Sequence, residues 1–171
     1  MAETVPFDDQ AAIRDAVARC AWALDTGDVE GFVERFCADG VLVWDVFETL
    51  ERWEGAAALR HFAEFFRSQP TSAGRQHHVT NTVIAPCAQG ARAMSYVTVA
   101  LRQGHGPHLL NVMGYYDDLF RRDGGKWLLA ERTIRDWSGP VLARIAGQTG
   151  ERVARPMPPQ LAGAQFRRPR E

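Results

Sequence analysis

Two side chains that lie far apart in the sequence, Asp25 and His77, could together act as a general base. His77 stands in a short polar run that leads directly into the apolar Val83-Ile84, so it is predicted to lie near the start of a strand. Asp25 follows the apolar stripe of a predicted first helix. A carboxylate that reaches an imidazole fixes its tautomer and stabilises the imidazolium, so the pair could remove a proton next to a carbonyl or a leaving group. Such chemistry suits elimination or isomerisation.

The neighbouring histidine, His78, is predicted to lie on the opposite face of the strand. Successive side chains of a strand alternate between its faces, so His77 and Asn81 share one face and His78 lies on the other. We therefore do not expect the two histidines to serve one site. A structural interpretation of the pair also stands, in which His77 is a satisfied core histidine and Asp25 caps the turn at Thr26-Gly27-Asp28.

Two helices are predicted to position Asp25. The first begins at a capping Asp8 or Asp9 and ends at Thr26-Gly27-Asp28. Its buried face is marked by apolar residues at spacings of four, four and three, namely Ile13, Val17, Ala21 and Leu24. Asp28 then caps a second, short helix that is predicted to stop near Asp39-Gly40, so the two helices form a hairpin.

A series of strands is predicted to position His77. A strand over residues 41–44, which continues or returns over 47–53, precedes a helix over residues 55–66. Four further strands follow over residues 77–84, 91–102, 108–121 and 126–137, and a short helix is predicted around 141–145. Because glycine-containing loops separate the four strands, they are predicted to form an antiparallel meander. Helices followed by strands indicate the α+β class.

Two further polar residues on the predicted strands could take part in the chemistry. Tyr116 shares its strand face with Gly114 and Asp118, so it could supply a phenol to a pocket, or it could only pack. Arg132, on the last strand, could bind a substrate oxygen or form a structural ion pair with Asp118.

Aromatic residues near the middle of the chain could form the wall of a binding pocket. Trp44, Phe47 and Trp53 would suit an apolar, ring-shaped ligand, although aromatic residues at these spacings are also ordinary core. Asn81 could orient the substrate or close the end of a strand. We expect Trp44, Phe47, Asn81 and Arg132 to be the substrate-binding set.

The charge balance excludes several classes of partner. The chain has 20 basic and 21 acidic side chains, so no broad electrostatic field favours nucleic acid or an anionic membrane. No apolar run approaches the length of a membrane span, and the N-terminus does not resemble a signal peptide. We expect a small hydrophobic substrate as the partner.

Cysteine and histidine spacing argues against a metal centre. Cys20, Cys37 and Cys87 are odd in number and lack a C-x-x-C spacing, which fits free thiols in a reducing cytoplasm. His105 and His108 form an H-x-x-H pair, but no carboxylate or thiol stands at a matching spacing. No nucleotide-binding or phosphate-binding loop is present. We therefore expect neither a metal nor a cofactor.

Four motifs follow one another along the chain: Arg19-Cys20-Ala21-Trp22-Ala23-Leu24-Asp25-Thr26-Gly27-Asp28, His77-x-x-x-Asn81, Gly114-x-Tyr116-x-Asp118 and Asp123-Gly124-Gly125-Lys126-Trp127. With the order of helices and strands, they resemble the SnoaL-like branch of the NTF2-like superfamily over residues 8–138. The resemblance implies a cone-shaped α+β fold, in which N-terminal helices pack on a curved antiparallel sheet that encloses a pocket. It also implies a homodimer or higher homo-oligomer formed through the sheet. We expect a SnoaL-like domain over residues 1–138 and a C-terminal extension over residues 139–171.

The superfamily includes scytalone dehydratase and bile acid dehydratase, which place an aspartate of the first helix beside a histidine of the sheet. By motif position these residues are Asp25 and His77, although Cys20 and Leu24 stand where one or other of those enzymes has a tyrosine. The resemblance implies a cofactor-independent lyase or isomerase for a small, hydrophobic, cyclic substrate, with His77 as base, Asp25 as its partner and Tyr116 as proton donor. The alternative is a non-catalytic ligand-binding or assembly subunit, which predicts no contact between Asp25 and His77, or a filled cavity.

Overall fold

The computed structural model describes residues 4–46, 49–102 and 104–137. Within them two helices come first, a third helix follows the second strand, and the other four strands come after it. The helices are α1 (Phe7–Thr26), α2 (Val29–Val33) and α3 (Gly55–Ser68), and a 3₁₀ turn spans Pro70–Ser72. The strands are β1 (Phe36–Asp45), β2 (Glu51–Glu54), β3 (Gln76–Cys87), β4 (Gly90–Arg102), β5 (His108–Asp123) and β6 (Lys126–Asp136). The predicted α+β class is confirmed. The predicted domain boundary at residue 138 and the helix at 141–145 lie outside the described residues.

The six strands form one curved, open sheet in the order β2-β1-β6-β5-β4-β3. The predicted antiparallel meander is confirmed, because β3, β4, β5 and β6 pair with one another in sequence and antiparallel. The sheet as a whole is mixed, since β1 pairs with β6 in parallel. A parallel pair needs a long crossover connection, which α3 and the strands β3 to β5 supply.

Two predicted helix boundaries were wrong at the N-terminal hairpin. Neither Asp8 nor Asp9 caps α1, which begins at Phe7 after Pro6 and has no side-chain cap. The second helix ends at Val33 rather than near residues 39–40, because the chain from residue 35 onward already pairs with β6. Tertiary pairing therefore overrides the local helical pattern there.

The cap between the two helices was predicted correctly. Gly27 adopts the left-handed conformation (φ 73°) that ends α1, and its N–H donates to the carbonyl of Ala23. The side chain of Asp28 accepts the N–H of Gly31 at 2.9 Å and caps α2. This turn fixes the orientation of the last residues of α1, which include Asp25.

The main core lies between the helices and the inner face of the sheet. Of the predicted stripe on α1, Ile13, Val17 and Ala21 are buried, while Leu24 is half-buried. The largest fully buried apolar side chains are Trp53, Phe32, Phe62, Phe120, Ile13, Leu42, Leu59 and Leu129. Each such side chain stabilises the fold by about 1.5–3 kcal/mol relative to exposure. This packing holds the end of α1 against the start of β3.

Candidate active site

The end of α1 and the start of β3 bring Asp25 and His77 into direct contact. Oδ1 of Asp25 lies 2.5 Å from Nδ1 of His77, and Oδ2 accepts the backbone N–H of His77 at 2.7 Å. Both oxygens of the carboxylate are therefore engaged by one residue, which fixes its plane. The two side chains are 14% and 10% exposed, so the pair is shielded from water but not sealed.

The contact determines which nitrogen of His77 carries the proton. An ionised carboxylate can only accept hydrogen bonds, so the neutral imidazole must donate from Nδ1. Nε2 then carries the lone pair, and it makes no hydrogen bond to any of the described residues. A lone pair without a protein partner is what a general base requires.

A pocket of about 560 Å³ opens beside this pair. This volume lies within the usual range of about 300–1,000 Å³ for small-molecule sites. Its lining comes from the last turns of α1 and from the chain that enters β3: Ala18, Ala21, Trp22, Asp25, Thr26, Gly74, Arg75, Gln76, His77, His78 and Val79. Trp22 is 71% exposed at the pocket. His78 borders the same pocket, so the predicted separation of the two histidines was too strict, but only His77 contacts Asp25.

Arg75 is a charged residue of the site that sequence reasoning missed. Its guanidinium is buried, and Nε lies 3.5 Å from Oδ1 of Asp25. Burial lowers the pKa of Arg75, and the charge of Asp25 opposes that effect. Strand alternation could have indicated this residue, because Arg75 stands two positions before His77 and therefore has the same parity.

The other nitrogens of Arg75 join three parts of the chain. Nη2 donates to the carbonyl of Leu24 at 2.6 Å, and Nη1 donates to Oγ of Ser72 at 3.2 Å. The guanidinium carbon lies 5.0 Å from the ring centroid of Phe66 on α3, within cation–π range. Arg75 thus ties the end of α1, the 3₁₀ turn and α3 to the start of β3.

A second buried cluster lies on the same inner face of the sheet and surrounds Arg132. Nε and Nη2 of Arg132 donate to the two oxygens of Asp118 at 2.8 and 2.7 Å, and Nη1 lies 3.3 Å from Sγ of Cys20. The guanidinium carbon lies 4.1 Å from the ring centroid of Tyr116. Of the two roles predicted for Arg132, the structure shows the ion pair with Asp118.

Burial governs the acid–base state of this second cluster. Burial would lower the pKa of Arg132, but the carboxylate of Asp118 outweighs it, so the pKa is raised. Burial raises the pKa of the Cys20 thiol to about 11 and raises the pKa of Tyr116 above its ordinary value, against the opposing charge of Arg132. The thiol and the phenol therefore stay protonated at neutral pH.

The remaining predicted residues lie at different places in the fold. Tyr116 packs against the guanidinium of Arg132 and does not line the pocket described above. Trp44 packs on α3, with ring centroids 5.7 Å from Phe62 and 5.6 Å from Phe66. Phe47 lies outside the described residues.

Asn81 does not share the face of His77 as predicted. The pairing of β3 with β4 shifts register between Thr80 and Val83, and Asn81 is exposed with a φ of 53°. A bulge of this kind interrupts the alternation of faces, and the sequence pattern does not reveal it.

The described residues contain neither a cluster of metal ligands nor a membrane-spanning helix. No group of three or more His, Cys, Asp or Glu side chains is placed to hold a metal ion in the part of the chain that the structure describes. Among the helices over residues 4–137, outside the gaps at 47–48 and 103, none is long and apolar enough to cross a membrane.

Known structures share this architecture. An NTF2-like protein with a cystatin-like fold from Novosphingobium aromaticivorans has a TM-score of 0.69 at 24% identity, over 82% of this chain and 90% of its own. A protein of unknown function with a cystatin-like fold from Nostoc punctiforme has a TM-score of 0.65 at 27% identity, over 82% and 100%. A second Novosphingobium aromaticivorans protein, proposed to be a scytalone dehydratase, has a TM-score of 0.63 at 22% identity, over 74% and 83%.

Sequence comparison assigns the family. No curated protein matches the chain. The family model of the SnoaL-like domain matches residues 6–133. This range covers the three helices and the six strands given above, except for the last three residues of β6, and it includes both Asp25 and His77. The chain therefore belongs to the SnoaL-like family.

Proposed function

We propose that this chain is a cofactor-independent lyase or isomerase that removes a proton from a small, hydrophobic, cyclic substrate. The observation that carries the proposal is the hydrogen bond between Asp25 and His77 on the wall of an open pocket. The family supports it at a coarser level, because SnoaL-like proteins include dehydratases and isomerases. The non-catalytic alternative predicts either no contact between Asp25 and His77 or a filled cavity, whereas the two residues are in contact beside an open pocket.

The proposed reaction begins when Nε2 of His77 takes a proton from a carbon next to a carbonyl group. The electron pair of the broken C–H bond moves toward the carbonyl oxygen, and Asp25 stabilises the imidazolium that forms. In an elimination, the electron pair then expels a hydroxyl group from the adjacent carbon. The imidazolium of His77 gives this group the proton taken from carbon, so that water leaves and His77 is neutral again. In an isomerisation, His77 returns its proton to a different carbon.

Tyr116 is the proposed proton donor to the oxygen on which negative charge develops. Burial raises the pKa of Tyr116, so the phenol is present in its protonated form throughout the neutral range. Tyr116 lies in the buried cluster around Arg132 rather than on the wall of the pocket, so this role requires the substrate oxygen to reach that cluster. A positioned hydrogen-bond donor at a developing oxyanion lowers the barrier substantially.

The shape and chemistry of the pocket support an apolar, ring-shaped substrate. One wall consists of Ala18, Ala21 and the exposed ring of Trp22, and Val79 adds a further apolar surface on β3. The polar side chains of the lining are those of Asp25, Thr26, Arg75, Gln76, His77 and His78, and Asp25 and His77 are in direct contact. A mostly apolar wall with a few convergent polar groups binds the body of a ligand and orients its reactive part.

The test uses proton abstraction as its readout. Wild-type protein without added cofactor is incubated in D₂O with a panel of cyclic ketones that carry a β-hydroxyl group, and NMR follows deuterium uptake and loss of water. We expect His77→Gln to lower the rate about 10²–10⁴-fold, which is the usual contribution of a general base. His105→Gln, an exposed histidine in the β4–β5 loop, is the control and should retain the wild-type rate.

An unchanged rate in His77→Gln would remove His77 as the base. Absence of exchange with every ketone, together with a ligand that co-purifies unchanged, would favour the non-catalytic binding protein instead. Mass spectrometry of the purified protein provides that second measurement.

We also propose that a second copy of the chain binds to the outer face of the sheet. Large apolar side chains are exposed on this face of β3, β4 and β5 and just after β6: Val83, Met94, Tyr96, Leu110, Met113 and Trp137. Exposed apolar patches of this kind mark interaction surfaces. Analytical ultracentrifugation of Met113→Glu should show a loss of self-association, whereas Phe7→Glu on α1, also exposed, should not change it.

A further inference from the structure

One N–H of Arg75 faces Asp25 as an ion pair that is too long for a hydrogen bond. The side chain of Arg75 is 4% exposed, and its Nε lies 3.5 Å from Oδ1 of Asp25 without a hydrogen bond to the described residues. The other two nitrogens donate to Leu24 and Ser72. Asp25 therefore receives the charge of Arg75, while its hydrogen bonds come from His77.

The charges of the site balance only when Arg75 is counted. With a neutral His77, the cluster holds one carboxylate and one guanidinium, and its net charge is zero. Without the guanidinium, Asp25 would be a half-shielded anion with only neutral donors. Because a buried charge is expensive unless it is paired, the carboxylate would then turn away from His77 toward the pocket, where water can hydrate it.

The position of the Asp25 carboxylate sets the tautomer of His77. Without an acceptor at Nδ1, the ring proton can move to Nε2. In that state the nitrogen toward the pocket has no lone pair and cannot accept a proton from a substrate. The contact between Asp25 and Nδ1 therefore decides whether His77 is a base.

We infer that Arg75 is a positioning residue that holds the carboxylate of Asp25 against His77 and thereby keeps the ring proton of His77 on Nδ1. Its hydrogen bonds to Leu24 and Ser72 hold the guanidinium in place, so that Nε stays close to Oδ1 without displacing His77 from it. The catalytic consequence of this inference rests on the proposed function, whereas the tautomer itself does not.

The experiment reads the tautomer directly by ¹⁵N NMR of histidine-labelled protein at neutral pH, with His77→Gln used to assign the signals. In wild type we expect His77 to be protonated on Nδ1. In Arg75→Met and Arg75→Gln we expect a large share of the Nε2–H form, and in Arg75→Lys, which keeps the charge, a return toward the wild-type spectrum. Arg67→Met is the control, because Arg67 is an exposed arginine that lies close to Gly27 at the end of α1.

The inference fails if wild-type His77 is protonated on Nε2, a result that depends on no variant. It also fails if either folded neutral variant of Arg75 keeps the wild-type imidazole signals. With a ketone that turns over, Arg75→Gln should lower kcat about tenfold while KM changes less than about twofold, as loss of an outer partner does. If no ketone turns over, the proposed function is rejected, and the ¹⁵N spectra still decide the role of Arg75.

Discussion

Two carboxylate–arginine pairs lie in the interior between the helices and the sheet, and they are built in different ways. Asp118 and Arg132 meet through two hydrogen bonds of 2.8 and 2.7 Å, and their side chains are 0% and 3% exposed. Asp25 and Arg75 approach only to 3.5 Å, and the shortest contact of Asp25 is the one to His77 at 2.5 Å. The first pair is closed, and the second borders a pocket.

The difference separates a structural ion pair from a site that retains chemical capacity. In the closed pair each nitrogen of Arg132 has an acceptor, and neither Arg132 nor Asp118 lines the pocket at His77. In the open pair one N–H of Arg75 and the lone pair on Nε2 of His77 are unused by the described residues. Unfilled hydrogen-bonding capacity beside a pocket therefore indicates function better than the presence of buried charge does.

The largest expected effect is on the closed pair. Arg132→Met leaves Asp118 as a buried, unpaired carboxylate, and we expect the free energy of unfolding to fall by about 3–5 kcal/mol. Urea denaturation provides the measurement. Arg135→Met on the same strand is the control, because Arg135 is 38% exposed and its ion pairs with Asp45 and Asp117 should contribute about 1 kcal/mol or less. Equal losses in the two variants would contradict the distinction between closed and exposed pairs.

Alkaline pH should also act on the closed cluster. Burial raises the pKa of Cys20 from 9.0 to about 11 in the folded chain, so the unfolded chain loses this proton first. The associated stability is complete below about pH 9 and is lost as the pH rises to about 11, which amounts to about 3 kcal/mol. Cys20→Ser removes the titrating group but keeps an acceptor for Arg132.

Urea denaturation at pH 8 and pH 10.5 tests this expectation. The stability lost between the two pH values should be smaller in Cys20→Ser than in wild type. The same loss in both proteins would show that other groups, such as Tyr116, account for the alkaline effect.

Most of the fold could be predicted from the sequence because its signals are local. Apolar periodicity gave α1 and α3, and glycine-containing loops gave the antiparallel meander. The parallel pairing of β1 with β6 was not predictable in this way, since it joins segments from opposite ends of the domain. That pairing also explains why the chain after Val33 is a strand rather than a continued helix.

The site was predictable only in part. Asp25 and His77 were identified by motif position, and their contact is present. Arg75 was missed because it lies before the predicted start of the strand at His77. Asn81 was placed on the wrong face because a bulge has no simple sequence signal. Trp44 is an aromatic residue that would suit a pocket wall, but its ring packs against Phe62 and Phe66 of α3.

A smaller effect should follow from changing the open pair. Asp25→Asn removes the negative charge beside Arg75, and we expect a loss of about 1–3 kcal/mol of unfolding free energy, because Leu24 and Ser72 still accept from the guanidinium. His77→Gln should cost less, since Asp25 and Arg75 then still balance each other. Urea denaturation of the two variants makes the comparison, and a larger loss in His77→Gln would argue against charge balance in the site.

The smallest expected effect concerns Asn81, whose φ of 53° lies in the left-handed region. Asparagine tolerates this conformation and alanine does so less well, so Asn81→Ala should cost about 1 kcal/mol, while Asn81→Gly should be close to neutral. Thermal unfolding measures both. If Asn81 serves only the bulge, neither variant should change KM for a ketone that turns over. A raised KM in the stable Asn81→Gly variant would instead restore Asn81 to the substrate-binding set, and the open region of the molecule would then extend along β3 beyond the pocket at His77.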